Sequence, residues 1–192
     1  EALSYATSYI PTLTGSTVTR ATETLNGSGN STLINSTEGV LYAEIAALAN
    51  DGTNRAISIS DGTTSNVVRF YYSVTDNRIV GNVKSGGSSV FDYNNVLTDA
   101  TDFIKVAVSY KADEYKMYVN GIQVSTDTSG AAPIGLTELA FDNGAGNDDF
   151  YGDCKALAVF EALTDDELEL LTGITNYGSF NELAQANGYT II

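Results

Sequence analysis

Histidine and tryptophan are both missing from this 192-residue chain, and basic residues are scarce: nine Lys and Arg stand against 24 Asp and Glu, a formal net charge of −15 at pH 7. Without histidine there is no imidazole to act as general base, so every His-containing triad is excluded. The charge balance speaks against nucleic acid and anionic membranes, whose phosphates such a surface repels. Neutral glycans, cations and basic protein surfaces remain as partners. One cysteine, Cys154, cannot form an internal disulfide, and no second thiol or imidazole can join it at a zinc ion. No apolar run approaches the roughly 20 residues of a membrane-spanning helix, so membrane insertion is not expected. Stability has to come from packing.

What the chain does have is material for a core and for turns: 43% hydrophobic residues, 18 Gly and 12 Tyr. Its length suits one domain of the β-sandwich kind. Residues 1–16, rich in Ser, Thr and Tyr, read as an extended lead-in from an upstream domain. The chain opens on Glu1 rather than Met, which suggests a C-terminal piece of something longer, with residues 17–192 as the domain. The polar stretch 26–37 carries N-x-S/T sequons at Asn26, Asn30 and Asn35, relevant only in a eukaryotic secretory pathway.

From residue 39 to 160 short β-type runs alternate with turn signals. They predict strands over 39–47, 54–60, 66–74, 77–85, 88–93, 102–110, 113–119, 122–126, 136–142 and 150–160. Asn120-Gly121 between two alternating runs is a type I′ hairpin signal, with further turns at Asp61-Gly62, Asp76-Asn77 and Gly86-Gly87. Many short strands without intervening helices indicate an antiparallel sandwich or barrel.

Alternation assigns faces, since successive strand side chains point to opposite sides. Val68, Phe70, Tyr72 and Val74 should face inward, leaving Arg69 and Tyr71 outside. Ile79 and Val83 point in, Arg78, Asn82 and Lys84 out. Tyr115, Met117 and Val119 point in, Lys116, Tyr118 and Asn120 out, and Ile104, Val106, Val108 and Tyr110 form one core stripe. The chain closes on two predicted short helices, about 164–172 and 179–187. Each begins with a capping box, Thr164-Asp-Asp-Glu167 and Ser179-Phe-Asn-Glu182. Less than a fifth of the chain should be helical, and the apolar end at Tyr189–Ile192 should dock.

Two sets of residues carry candidate chemistry. Arg69, Tyr71, Asn82 and Lys84 would share one outward face if their strands are neighbours, and Tyr118 projects outward on another strand. A sugar's apolar face can stack on Tyr while Arg and Asn donate to its hydroxyls. The Gly-rich segment from Asp142 and Asn143 to Asp148 and Asp149 offers the hard oxygen donors that Ca²⁺ prefers, although Asp/Asn/Gly loops are also ordinary turn chemistry. The acidic run Asp165–Glu169 reads as a helix cap and a solvated face.

Residues 102–125, DFIKVAVSYKADEYKMYVNGIQVS, resemble the laminin-G-like hairpin of the concanavalin A-like lectin/glucanase superfamily. Residues 150–168, FYGDCKALAVFEALTDDEL, resemble that superfamily's closing strand and helix. The segments YATSYIPTLTGSTVTR (5–20) and NYGSFNELAQANGYTII (176–192) are similar to pieces of bacteriophage tail and other virion-associated proteins. The resemblance implies an all-β fold, two antiparallel sheets packed as a jelly roll, with a ligand site on the concave face or rim. It implies a place on a virion surface or outside the cell, where such modules bind polysaccharide or cell-surface glycans and neighbouring virion chains. The glycoside hydrolases of the superfamily carry an E-x-D-x-(x)-E strand and its alginate lyases a Q-x-H motif, and both are missing here. The expectation is a carbohydrate- or receptor-binding module of a virion protein. A structural or oligomerisation domain is the alternative, and a polysaccharide-acting enzyme comes third.

Overall fold

A computed structural model describes residues 28–173. The lead-in 1–16, the Asn26 sequon, the second predicted helix and the 176–192 ending lie outside the described residues.

Among the described residues ten strands and one helix follow in order: β1 (Glu38–Ala47), β2 (Arg55–Ser60), β3 (Val67–Tyr72), β4 (Arg78–Ser85), β5 (Ser88–Val96), β6 (Ile104–Lys111), β7 (Glu114–Val119), β8 (Ile122–Asp127), β9 (Glu138–Ala140), β10 (Gly152–Phe160) and α1 (Asp165–Thr172). They form two five-stranded antiparallel sheets, β10-β1-β6-β7-β8 and β5-β4-β3-β2-β9, a jelly-roll sandwich. Neighbouring strands β6, β7 and β8 are joined by short hairpins. Asn120 and Gly121 take φ of 51° and 82° at the β7–β8 turn, the left-handed pair that a type I′ turn demands.

The core lies between the sheets. Leu41, Ala43 and Ile45 of β1, Ile57 and Ile59 of β2, Val68, Phe70 and Tyr72 of β3, and the β6 stripe all belong to it. All seven residues singled out from alternation, Val68, Phe70, Tyr72, Val106, Val108, Met117 and Val119, are buried. Gly81 makes the close approach between sheets: a Cβ there would sit 2.8 Å from Met117 Sδ. Deep side chains tie themselves to backbone, Tyr72 Oη donating to Ile45 O at 3.2 Å and Tyr110 Oη to Asn35 O at 2.5 Å.

A second, smaller cluster lies outside the first sheet. Leu168 and Leu171 of α1 cover Val40, Tyr42, Ala107, Tyr118 and Ala156. The helix starts as its sequence predicts: Thr164 accepts from the Glu167 amide, and the Glu167 carboxylate accepts from the Thr164 amide. This leaves β1 apolar on both faces, the mark of a central strand.

Two expectations about faces are corrected. Val74 is 61% exposed rather than inward. β3 ends at Tyr72, and the chain has already turned: the Ser73 amide donates to Arg78 O and the Val74 amide to Asn54 Oδ1. Tyr118 does lie on the outer side of its sheet but is only 2% exposed, because α1 roofs that side. Its hydroxyl donates to Gln123 Oε1 at 2.8 Å.

Candidate functional site

The two sheets differ in what covers their outer sides, and this decides where a ligand could reach. On the β5-β4-β3-β2-β9 sheet the register places Ser58 opposite Arg69, Arg69 opposite Asn82, and Asn82 opposite Asp92. One polar row therefore crosses four strands. Tyr71 lies one pair further along β3, opposite Ala56 and Val80, and Lys84 lies opposite Val67 on the other side of the row. Sheet order thus gathers Arg69, Tyr71, Asn82 and Lys84 on one face. Tyr118 belongs to the other sheet, beneath α1, and takes no part.

The row is held by its own hydrogen bonds. Arg69 Nε donates to Asn82 Oδ1 at 3.1 Å. The Asn82 amide nitrogen lies 3.0 Å from Ser89 Oγ, 3.1 Å from Phe91 O and 3.1 Å from Asp92 Oδ2. Asn82 is 1% exposed, so its part is to fix Arg69 rather than to meet a ligand. That corrects the expectation of an open Asn82: it points outward but is roofed by its neighbours. Arg69 stays half-buried, its guanidinium 5.2 Å from the centre of the Tyr71 ring, a cation–π contact. Nη1 donates to Asn143 O at 3.4 Å. Burial, together with the Asp92 carboxylate, pushes the Tyr71 hydroxyl above its ordinary pKa, so it remains a neutral donor and acceptor at physiological pH.

The 142–149 loop lies across part of this face. The Ala56 amide donates to Asp148 O at 2.9 Å, and Ser60 Oγ reaches Gly144 O at 3.4 Å. Gly144 has a φ of +92°, and a Cβ there would come 2.9 Å from Ser60 Cβ. Only glycine lets the loop lie this close. Asn54, Ala56, Arg69, Tyr71 and Asp148 line the opening that remains, about 80 Å³. Asn54 and Ala56 were not singled out from the sequence, although the alternation Ile57-Ser58-Ile59-Ser60 puts Ala56 on the same outward side as Ser58. Asp148 was, but for a different role.

That role is calcium binding, and in this structure the loop's side chains engage one another and the loop's own amides. Asp142 is buried with Oδ1 accepting from the Gly144 amide at 2.6 Å. Asn143 Nδ2 donates to Asp148 Oδ2 at 2.9 Å, and Asn143 Oδ1 accepts from the Ala145 amide. Asp149 is exposed. Among the described residues no three Cys, Asp or Glu side chains cluster as a metal site. The contacts are those of Asx turns, and the segment serves as a cover for the sheet.

No family model matches the chain, and no curated protein matches it. Solved structures do. The carbohydrate-binding module CBM40 of the Ruminococcus gnavus IT-sialidase superimposes with a TM-score of 0.60 at 16% identity, over 78% of this chain and 94% of that one. The same module has been solved bound to α2,3- and α2,6-sialyllactose. The leech intramolecular trans-sialidase gives 0.59 at 18% identity over 75% of this chain, which spans about a quarter of that enzyme's length (24%). A heptameric pentraxin from Limulus polyphemus gives 0.58 at 16% identity, over 79% and 77%. At these identities what is shared is the jelly-roll fold.

Proposed function

We propose that this domain is a non-catalytic carbohydrate-binding module that holds a polysaccharide or cell-surface glycan against the outer face of the β5-β4-β3-β2-β9 sheet. The observation that carries the reading is the Arg69–Tyr71 pair. It joins a guanidinium locked by Asn82 and Asn143 to an aromatic ring, both half-exposed on a face that no helix covers among the described residues. A pyranose presents an apolar face to such a ring and hydroxyls to such a fork of N–H donors. Lys84 adds a cation one row away. Asp92 and Asp148 beside the pair favour a neutral glycan over an acidic one. The shared fold with a module solved on sialyllactose supports carbohydrate as the ligand class. The resemblance of residues 5–20 and 176–192 to virion proteins supports a place on a virion tail or another extracellular surface. There the domain would sit among other virion chains.

The absence of histidine and of the superfamily's catalytic carboxylate strand supports binding without cleavage. A second reading, a structural or oligomerisation domain, draws on the small size of the opening, well under the ~300 Å³ at which ligand pockets usually begin. A glycan array run with and without EDTA separates the two. The module predicts retention of neutral glycans in both conditions, with no release of reducing ends. Silence across the array favours the structural role, and reducing-end release would make the protein an enzyme.

A further inference from the structure

A larger recess lies at one end of the sandwich, where β5 and β8, the edge strands of the two sheets among the described residues, approach each other. It encloses about 390 Å³, within the ~300–1,000 Å³ range typical of small-molecule sites. Its apolar side is made by Val96, Phe103, Ile122 and Val124. Val96 and Ile122 are 66% and 65% exposed and Phe103 39%, large side chains left in water at one place on the surface. Such clustering marks a binding surface more than scattered exposed apolar residues do.

The polar side consists of Asn95, Asp99, Asp102 and Asn120, and these groups are mostly acceptors. Asp99 Oδ1 accepts from the Thr101 amide and hydroxyl at 2.8 Å each, which leaves its second oxygen open. Asp102 carries a further carboxylate. Asn120 Oδ1 is engaged by the Lys105 amide at 2.9 Å, so its NH₂ is the amide group left to donate. Two cations lie beside it and both are engaged: Lys155 rests its Nζ 3.5 Å from the centre of the Phe103 ring, and Lys105 Nζ donates to Gly173 O at 3.0 Å. An anionic ligand meets two carboxylates here. A ligand that offers several hydroxyl donors on one side and an apolar face on the other fits both walls, because O–H donors to carboxylates make strong, charge-assisted bonds.

We propose that this recess is a second binding site, taking one end of a neutral saccharide, with Asp99 and Asp102 accepting sugar hydroxyls, Asn120 donating, and Phe103 and Ile122 packing on the ring. It rests on the reading of the domain as a glycan binder but uses none of the same residues. The test is a ¹⁵N-amide shift map of the whole chain titrated with malto-, manno- and galacto-tetraose, with tetragalacturonate as the charged counterpart. The expected result is that at least one neutral probe moves amides in segments 95–103 and 119–124. Asp102→Ala and Phe103→Ala should each weaken that binding about tenfold, while Tyr71→Ala leaves it intact. Both substituted residues are exposed, so the fold survives them, and the unchanged remainder of the spectrum checks this. The proposal is overturned if no neutral probe moves these segments, or if tetragalacturonate moves them as strongly. It is also overturned if the shifts follow protein concentration without sugar, the sign of a second copy in the recess. Binding abolished by Tyr71→Ala alone would remove the recess and leave the sheet-face reading standing. Binding lost only in the recess variants would do the reverse.

Discussion

The outer faces of the two sheets are built from similar strands but have opposite fates. Over β10-β1-β6-β7-β8, α1 drops Leu168 and Leu171 onto Val40, Tyr42, Ala107, Tyr118 and Ala156 and closes the face with apolar contacts. Over β5-β4-β3-β2-β9 no helix arrives among the described residues. A Gly-rich loop covers β2 and β3 through three backbone carbonyls, and beneath it lie Ala56, Ser60, Val67 and Arg69. A face closed by side-chain burial stabilises the fold. A face covered by backbone contacts buries Ala56, Val67 and Val80 as well as Ser58 and Ser60, yet leaves Arg69 and Tyr71 half-exposed and within reach of a ligand. The two tyrosines show the contrast: Tyr118 and Tyr71 both point away from the core, yet only Tyr71 can meet a partner.

The strongest test of this contrast is Leu168→Ala. Removing a fully buried leucine leaves a cavity under α1 and should cost about 3 kcal/mol, a Tm drop of about 6–12 °C for a chain of this size. Tyr71→Ala should cost less than ~1 kcal/mol by the same thermal scan, since the ring is half-exposed. Equal losses at the two positions would erase the distinction between the faces. Thr164→Ala removes the acceptor for the Glu167 amide. It should lower stability by about 1 kcal/mol with no effect on glycan affinity.

Acid should loosen the closed face. The Lys116 ammonium, 2.6 Å from Asp165, holds that carboxyl below its ordinary value. A carboxyl with a depressed folded pKa contributes fully above its unfolded value, about 3.9, and the contribution is lost as pH falls through the folded value. Thermal scans from about pH 6 downward should therefore show wild type losing its advantage over Asp165→Asn below about pH 4. A constant difference at all pH would contradict this anchor. Smallest of all should be the effect of calcium. With Asp142 and Asn143 accepting from the loop's own amides and Asp148 from Asn143, EDTA should move the Tm by less than about 1 °C, and a larger shift that Asp148→Ala abolishes would support a metal site there.

Much of the architecture was legible because it follows from local rules. Period-two alternation placed the seven core residues between the sheets, Asn120-Gly121 forced its turn, and Thr164/Glu167 marked the helix start. Each signal lies within a dozen residues of what it determines. The site was legible only in part. Arg69 and Tyr71 could be assigned a side from alternation. That Asn82 is consumed by Ser89, Phe91 and Asp92 depends on β4 lying beside β5, and that Tyr118 is roofed depends on a helix some 50 residues later. The recess between β5 and β8 unites the 95–103 and 119–124 segments from different sheets, so no stretch of sequence announces it. Asp148 shows a related limit: an acidic Gly-rich loop reads alike whether its carbonyls serve an ion or a neighbouring strand.

The central claim is that the open face binds sugar through Arg69 and Tyr71 without cutting it. Calorimetric titration of a neutral glycan retained on the array, wild type against Tyr71→Ala with Tyr118→Phe as the closed-face control, tests it most directly. Tyr71→Ala should weaken binding about tenfold or more, the worth of one stacked ring and its hydroxyl. Tyr118→Phe should leave the affinity unchanged, and no reducing ends should appear. An affinity untouched by Tyr71→Ala would contradict the account.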